Sequence, residues 1–184
     1  MKIVKDRDAI WDTDDFDVVL LATNIYNRLV NGLQYKMRCK YPVLEAANDC
    51  TKFGDRKKLG TNNVVKVSDK TEVCMMYTCT HPGTNKEYVK YEALEKCMRL
   101  ASLQFKGKRI MTTICGASRF DGSGDKDRIL DLMGTIFGDE DVTVYDYEQR
   151  DKNDETKSVM NRIRENGLTG QRKEIMRKLY LMDD

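Results

Sequence analysis

His81 is the only histidine in this chain of 184 residues. It lies in Cys79-Thr80-His81-Pro82-Gly83-Thr84-Asn85, a loop by composition, directly after the apolar, strand-like run 72–78. An imidazole placed there can reach a site at the edge of a sheet and act as acid, base or nucleophile near neutral pH. A lone histidine with no role fits the same spacing. Two other stretches could hold an anion. Residues 24–32 (NIYNRLVNG) follow the apolar run 17–21 (DVVLL) and precede Leu33, Met37 and Tyr41, which recur at i, i+4 and i+8 as one stripe of a helix. Asn31 can cap that helix, and Pro42 stops it because it restricts the preceding residue and lacks an N–H. Strand, Asn-rich loop, Gly32, helix aims backbone N–H groups and the positive end of a helix dipole at one point, which suits a phosphate or diphosphate. An ordinary strand-to-helix turn uses the same residue types. Residues 115–124 (CGASRFDGSG) form a second strand-to-helix loop, where Gly and Ser allow close backbone approach and offer N–H donors.

Elements that position these loops can be read from periodicity. A short strand is expected within residues 1–9, and a helix over 43–53 with Leu44 and Ala47 on one face and Gly54 at its C′ position. Residues 63–67 and 72–78 read as strands joined by Ser68-Asp69-Lys70 into a hairpin. Residues 90–106 carry Leu94, Cys97, Met98, Ala101 and Phe105 at helical spacing, closed by Gly107. A strand over 109–114 follows, and the strand–helix–strand order favours a right-handed crossover with parallel pairing. Asp125 caps a further helix with the stripe Ile129, Leu132, Met133, Ile136 and Phe137, ended by Gly138; residues 142–147 form the last strand. The order is strand, strand, helix, helix, strand, strand, helix, strand, helix, strand. That is α/β with a mixed sheet. From residue 148 the composition turns polar, with short helices expected over 154–166 and 171–182.

The apolar fraction is 40%, the charged fraction 34% and the net charge +2, with acids and bases interspersed. No basic stripe emerges, which argues against nucleic acid as partner. No apolar run approaches the roughly 18 residues of a membrane span, and MKIVKDRD has no signal-peptide core. The six cysteines (39, 50, 74, 79, 97 and 115) lack Cys-x-x-Cys or Cys/His clustering. Free thiols in a reducing cytoplasm are expected, with neither metal nor cofactor.

Residues 22–60 resemble the ADP-ribose-binding loop and following helices of macro domains, in the branch of ADP-ribose 1″-phosphate phosphatases and terminal ADP-ribose glycohydrolases. The features that carry the resemblance are Asn24, Gly32, Lys40-Tyr41-Pro42 and Leu59-Gly60, although Val30-Asn31-Gly32 replaces the usual run of glycines. The resemblance covers residues 1–147 and implies a macro-domain-like three-layer fold with a mixed central sheet; residues 148–184 would be a short C-terminal helical extension. It further implies that Asp8 accepts from the adenine amino group, and that Asn31, Gly32 and Leu33 lie against the diphosphate. Asn24 would orient the distal ribose, and Tyr147 would pack on adenine. Gly116, Ala117, Ser118 and Phe120 would close over the distal ribose. The glycohydrolase relatives carry a catalytic Asp in this loop; Asp121 is the nearest match, while ungapped alignment places Arg119 there. Their catalytic lysine, after a Thr at the end of the preceding strand, is Cys79 here. The expected function is binding of ADP-ribose and hydrolysis of ADP-ribose 1″-phosphate to ADP-ribose and phosphate, with His81, Asp121 and Asn24 as catalytic residues. The alternatives are removal of ADP-ribose from modified proteins, with an ADP-ribosylated protein as partner, and a non-catalytic ADP-ribose reader.

Overall fold

A computed structural model describes residues 1–5, 13–30, 32–82, 86–117 and 122–146. Expectations that fall on Asp8, Asn31, Ser118, Arg119, Phe120, Asp121, Tyr147 and the C-terminal helices lie outside the described residues.

The strands are β1 (Lys2–Val4), β2 (Val18–Asn24), β3 (Asn62–Lys66), β4 (Glu72–Cys79), β5 (Ile110–Thr113) and β6 (Val142–Tyr145). The helices are α1 (Gly32–Lys40), α2 (Val43–Asp49), α3 (Tyr91–Gln104) and α4 (Lys126–Phe137). The sheet order is β1-β6-β5-β2-β4-β3, parallel throughout except for β3, which runs antiparallel to β4. The mixed sheet and the order of the ten elements are those expected from periodicity.

A strand buried on both faces must be covered by helices above and below. β2 is such a strand, with all seven residues buried. Val18, Leu20 and Ala22 pack with Leu94, Met98, Ile129 and Phe137 of α3 and α4. Val19 and Leu21 pack with Leu33, Met37 and Leu44 of α1 and α2. Helices therefore lie on both faces of the sheet, giving three layers.

Three details depart from the periodic reading. β2 continues through Ala22, Thr23 and Asn24, because β4 supplies pairing partners beyond the apolar run. α2 stops at Asp49 rather than near Phe53: Thr51 donates both its hydroxyl (2.6 Å) and its N–H (3.0 Å) to the Asn48 carbonyl, ending the helical ladder. Gly54 accordingly sits in a turn, donating its N–H to the Ile25 carbonyl at 2.9 Å. β4 and β5 are parallel but not neighbours, since β2 lies between them and the α3 crossover passes over it.

That crossover sets up the functional edge. From β2 the chain returns to β4 on one side; from β5 it returns to β6 on the other. Adjacent parallel strands whose connections diverge leave a crevice at their C-terminal ends, the place where open α/β sheets bind ligands.

Candidate functional site

The loops after β2, β4 and β5 leave this one edge of the sheet, and the residues singled out in the sequence that are described fall on them. Asn24 ends β2 and is 2% exposed. Its Oδ1 accepts from the N–H of Tyr26 (3.1 Å) and of Arg28 (3.3 Å), and its Nδ2 donates to the Arg28 carbonyl at 2.8 Å. Both ends of the amide are thus taken up by the following loop, which makes Asn24 a clamp on that loop. Gln34, which periodicity does not mark, ties the start of α1 to the same strand by donating to the Ala22 carbonyl at 2.9 Å. Thr23, between them, is fully buried, and its hydroxyl has no hydrogen-bond partner among the described residues.

Gly32 opens α1 at φ +47, a left-handed conformation that glycine adopts at little cost. The first turn of α1 contains no acidic residue, and Arg38 and Lys40 lie in the last. Its N–H groups therefore remain suited to an anion. The N-terminus of α4 differs: the Asp125 carboxylate caps it, accepting from the Arg128 N–H at 2.9 Å. Leu33 is buried in the core beneath the loop.

A buried polar network holds the β2–α1 loop from the side. Lys58, 9% exposed, donates to Asn27 Oδ1 and to Thr51 Oγ1 (2.8 Å), and its ammonium lies 4.4 Å from the centre of the Tyr77 ring. Asn27, at φ +54, also donates to the Thr51 carbonyl at 3.0 Å, and Tyr77 donates to Asn48 Oδ1 at 2.8 Å. Burial pulls the Lys58 ammonium below the usual lysine range.

At the end of β4 the register against β2 shifts by one residue, so that Thr23 pairs with Tyr77 and Asn24 with Cys79. Such a bulge re-aims the residues beyond it. Cys79 consequently points into the core, 2% exposed. A Cβ on Gly122 (φ +120) would lie 2.7 Å from its Sγ. The position after Thr78 is therefore covered by the β5–α4 loop. Gly122 also accepts from the N–H groups of Tyr88 (2.7 Å) and Val89 (3.2 Å), and Gly124 donates to the Gly116 carbonyl at 2.8 Å. Gly116 is buried and Ala117 half-buried at the start of this loop.

His81 is exposed and lies between two rings: its centroid is 4.9 Å from that of Tyr26 and 5.2 Å from that of Tyr88. Among the described residues no group hydrogen-bonds its ring nitrogens, which stay open to a ligand or water. Tyr26 in turn meets Phe53 edge-on at 5.2 Å. Tyr26 and Tyr88, the ring neighbours of His81, and Phe53 beyond Tyr26 come from separate loops and carry no shared sequence spacing. Among the described residues there is no group of three or more His, Cys, Asp or Glu side chains able to hold a metal ion, and no helix long and apolar enough to cross a membrane.

No protein-family model and no curated protein sequence matches the chain. Solved structures do. The macrodomain of Thermus aquaticus DarG superposes with a TM-score of 0.58 at 13% identity, covering 80% of this chain and 97% of that one. Thermosipho africanus DarTG, solved in complex with ADP-ribose, gives 0.57 at 15% identity over 75% of this chain and 40% of that one. The Trypanosoma brucei macrodomain, in complex with ADP, gives 0.52 at 17% identity over 73% and 59%. With its three layers, its mixed six-stranded sheet and these neighbours, the chain has the macrodomain fold.

Proposed function

We propose that this protein binds ADP-ribose along the C-terminal edge of the sheet and hydrolyses its 1″-phosphate to ADP-ribose and phosphate. The observation that carries the reading is the first turn of α1, free of acidic side chains and set at the β2/β5 switch point. A diphosphate there meets backbone N–H groups and a helix dipole of the right sign. The adenosine lies toward β1 and β6, which pair with Val4 opposite Tyr145; Asp8 and Tyr147 come shortly after these two strand ends in the sequence. The distal ribose and its phosphate lie toward the β4 and β5 loops. Neighbours of the same fold solved with ADP-ribose and with ADP support the ligand class.

In this reading, binding of the adenosine and diphosphate positions the phosphomonoester. N–H groups of the β5–α4 loop stabilise charge on the phosphoryl oxygens as water attacks phosphorus. His81, whose ring nitrogens are open, moves a proton between that water or the departing sugar oxygen and solvent; Asp121, the nearest match to the catalytic Asp of the glycohydrolase relatives, shares this role. Asn24 acts through the loop it clamps.

A non-catalytic reader is the second reading, and two observations favour it. The Asn24 amide is bonded at both ends within the protein, and the position after Thr78 is a buried thiol. The latter also weighs against lysine-dependent removal of ADP-ribose from proteins.

The test is a calorimetric titration with ADP-ribose followed by an assay of phosphate release from ADP-ribose 1″-phosphate. Gly32→Val is expected to weaken binding at least about tenfold, since a branched side chain resists positive φ and blocks backbone approach. His81→Ala is expected to lower turnover about 10²-fold with ADP-ribose affinity retained. Binding without phosphate release in the wild type would establish the reader; no binding at all would overturn both.

A further inference from the structure

Lys58 is a buried ionisable group that the proposed reaction does not use. It is 9% exposed, and among the described residues no carboxylate lies within salt-bridge distance of it. Its immediate partners are neutral. The ammonium donates to Asn27 Oδ1 and, at 2.8 Å, to Thr51 Oγ1, and it lies 4.4 Å from the centre of the Tyr77 ring. Those partners are themselves held: Thr51 donates to Asn27 Oδ1 at 3.1 Å, and the Tyr77 hydroxyl to Asn48 Oδ1 at 2.8 Å. Asp55 is the carboxylate whose field reaches Lys58, yet its own hydrogen bond goes to the Lys57 N–H at 2.9 Å.

A charge buried among neutral dipoles is costly to the fold, and an apolar side chain of similar length would fill the space at lower cost. Packing therefore does not account for a lysine here. Its location does. Asn27 belongs to the loop between β2 and α1, and the first turn of α1 beyond that loop carries no acidic residue. Shielded from water, the ammonium projects its field through the loop with less screening than the exposed Lys52, Arg56 and Lys57. That field has the sign of the helix dipole at Gly32.

We propose that Lys58 is a determinant of diphosphate binding, its buried ammonium standing behind the β2–α1 loop as the counter-charge to the bound anion. The proposal rests on the ADP-ribose reading of that loop. Lys58 acts through Asn27 and the loop, so it is a positioning residue rather than a catalytic one.

Charge and scaffold separate with pH. A neutral amine still offers two N–H groups to Asn27 and Thr51, so deprotonation removes the charge and leaves the tether. Burial, opposed by Asp55, draws Lys58 below the usual lysine range. Affinity is full while Lys58 is protonated in the free protein and falls as pH rises through its value there. A bound diphosphate favours the ammonium, so binding in that range takes up a proton. The other ionisable groups beside it are Asp55, Tyr77 and Cys50, which precedes Thr51; Lys58→Met keeps all three.

The experiment is calorimetric titration of the full chain with ADP-ribose from about pH 7 to about pH 10, in buffers of different ionisation enthalpy. ADP-ribose has no group that titrates there. Wild-type affinity is expected to fall about tenfold across the range, with proton uptake on binding toward its alkaline end. Lys58→Met is expected to bind about tenfold more weakly at neutral pH, with no further loss on raising the pH. A thermal melt checks that the variant folds, and the wild-type profile with its proton uptake tests the proposal without it. A wild-type affinity independent of pH, with no proton uptake, would overturn the proposal. So would a wild-type profile that persists in Lys58→Met. In both cases binding at neutral pH leaves the ligand reading standing, whereas no binding at any pH overturns reading and proposal together.

Discussion

The side-chain amide of Asn24 closes on Arg28: Nδ2 donates to the Arg28 carbonyl at 2.8 Å while Oδ1 accepts the Arg28 N–H at 3.3 Å. The last residue of the central strand thereby fixes the shape of the loop that follows it. Asn24→Ala removes both bonds and leaves backbone groups of a half-buried loop without partners. A loss of about 1–3 kcal/mol in unfolding free energy is expected, together with weaker ADP-ribose binding. Asn24→Asp sets a carboxylate oxygen against the Arg28 carbonyl at a 2% exposed site, so its loss in chemical denaturation at neutral pH should be at least as large and should shrink as pH falls and the carboxyl takes up a proton.

Gly122 is the tightest point where the β5–α4 loop meets β4. Its φ of +120 excludes other residues, and a Cβ there would lie 2.7 Å from Cys79 Sγ. Gly122→Ala is expected to cost about 2 kcal/mol or more. Cys79→Ala in the same background should recover part of that loss by removing the sulfur. A double variant no more stable than Gly122→Ala alone would show that backbone strain, not the contact, dominates.

The thiols divide by position. Cys39 and Cys50 are exposed, whereas Cys74, Cys79, Cys97 and Cys115 are buried, and none of the six is in a disulfide. Burial pushes the Cys97 thiol up to about 12 and raises Cys74 as well. A thiol-reactive chromophore at pH 8 should therefore label Cys39 and Cys50 quickly and the other four only on unfolding. The melting temperature should be unchanged by reductant or chelator.

At the opposite edge of the sheet, the Asp17 carboxylate accepts from the Arg109 N–H at 2.9 Å and from its guanidinium at 3.3 Å, which lowers its pKa. The folded value lies below the unfolded one of about 3.9. Its stabilisation is thus complete above about pH 4 and disappears as pH falls through the folded value. The side chain is 32% exposed, so the contribution is no more than about 1 kcal/mol. Urea midpoints of wild type and Asp17→Asn should differ at pH 7 and converge near pH 2; a difference that persists in acid would assign it to packing.

Local pattern determined the elements themselves. The stripe Leu94, Cys97, Met98, Ala101 places α3 at Tyr91–Gln104 and its buried face on the core. Asp125 marks the start of α4, and the hairpin of β3 and β4 follows from two β-branched runs joined by a turn. These are short-range choices, made by residues within a few positions of one another. The loops able to hold an anion were legible for the same reason, as polar, glycine-bearing punctuation between periodic segments. Tertiary structure alone decided who neighbours whom. β2 pairs with β4 and β5, far along the chain, because strand edges hydrogen-bond without regard to side chain and long-range packing chooses among them. It also decided what each polar group is used for. Asn24 reads as a residue available to a ligand, yet the loop it precedes folds back to occupy its amide. The Asp55 carboxylate is likewise used locally, capping the turn beside Phe53 by accepting the Lys57 N–H at 2.9 Å. His81 stands alone in the sequence; its ring acquires Tyr26 and Tyr88 as neighbours only because parallel strands end side by side and bring separate loops to one edge.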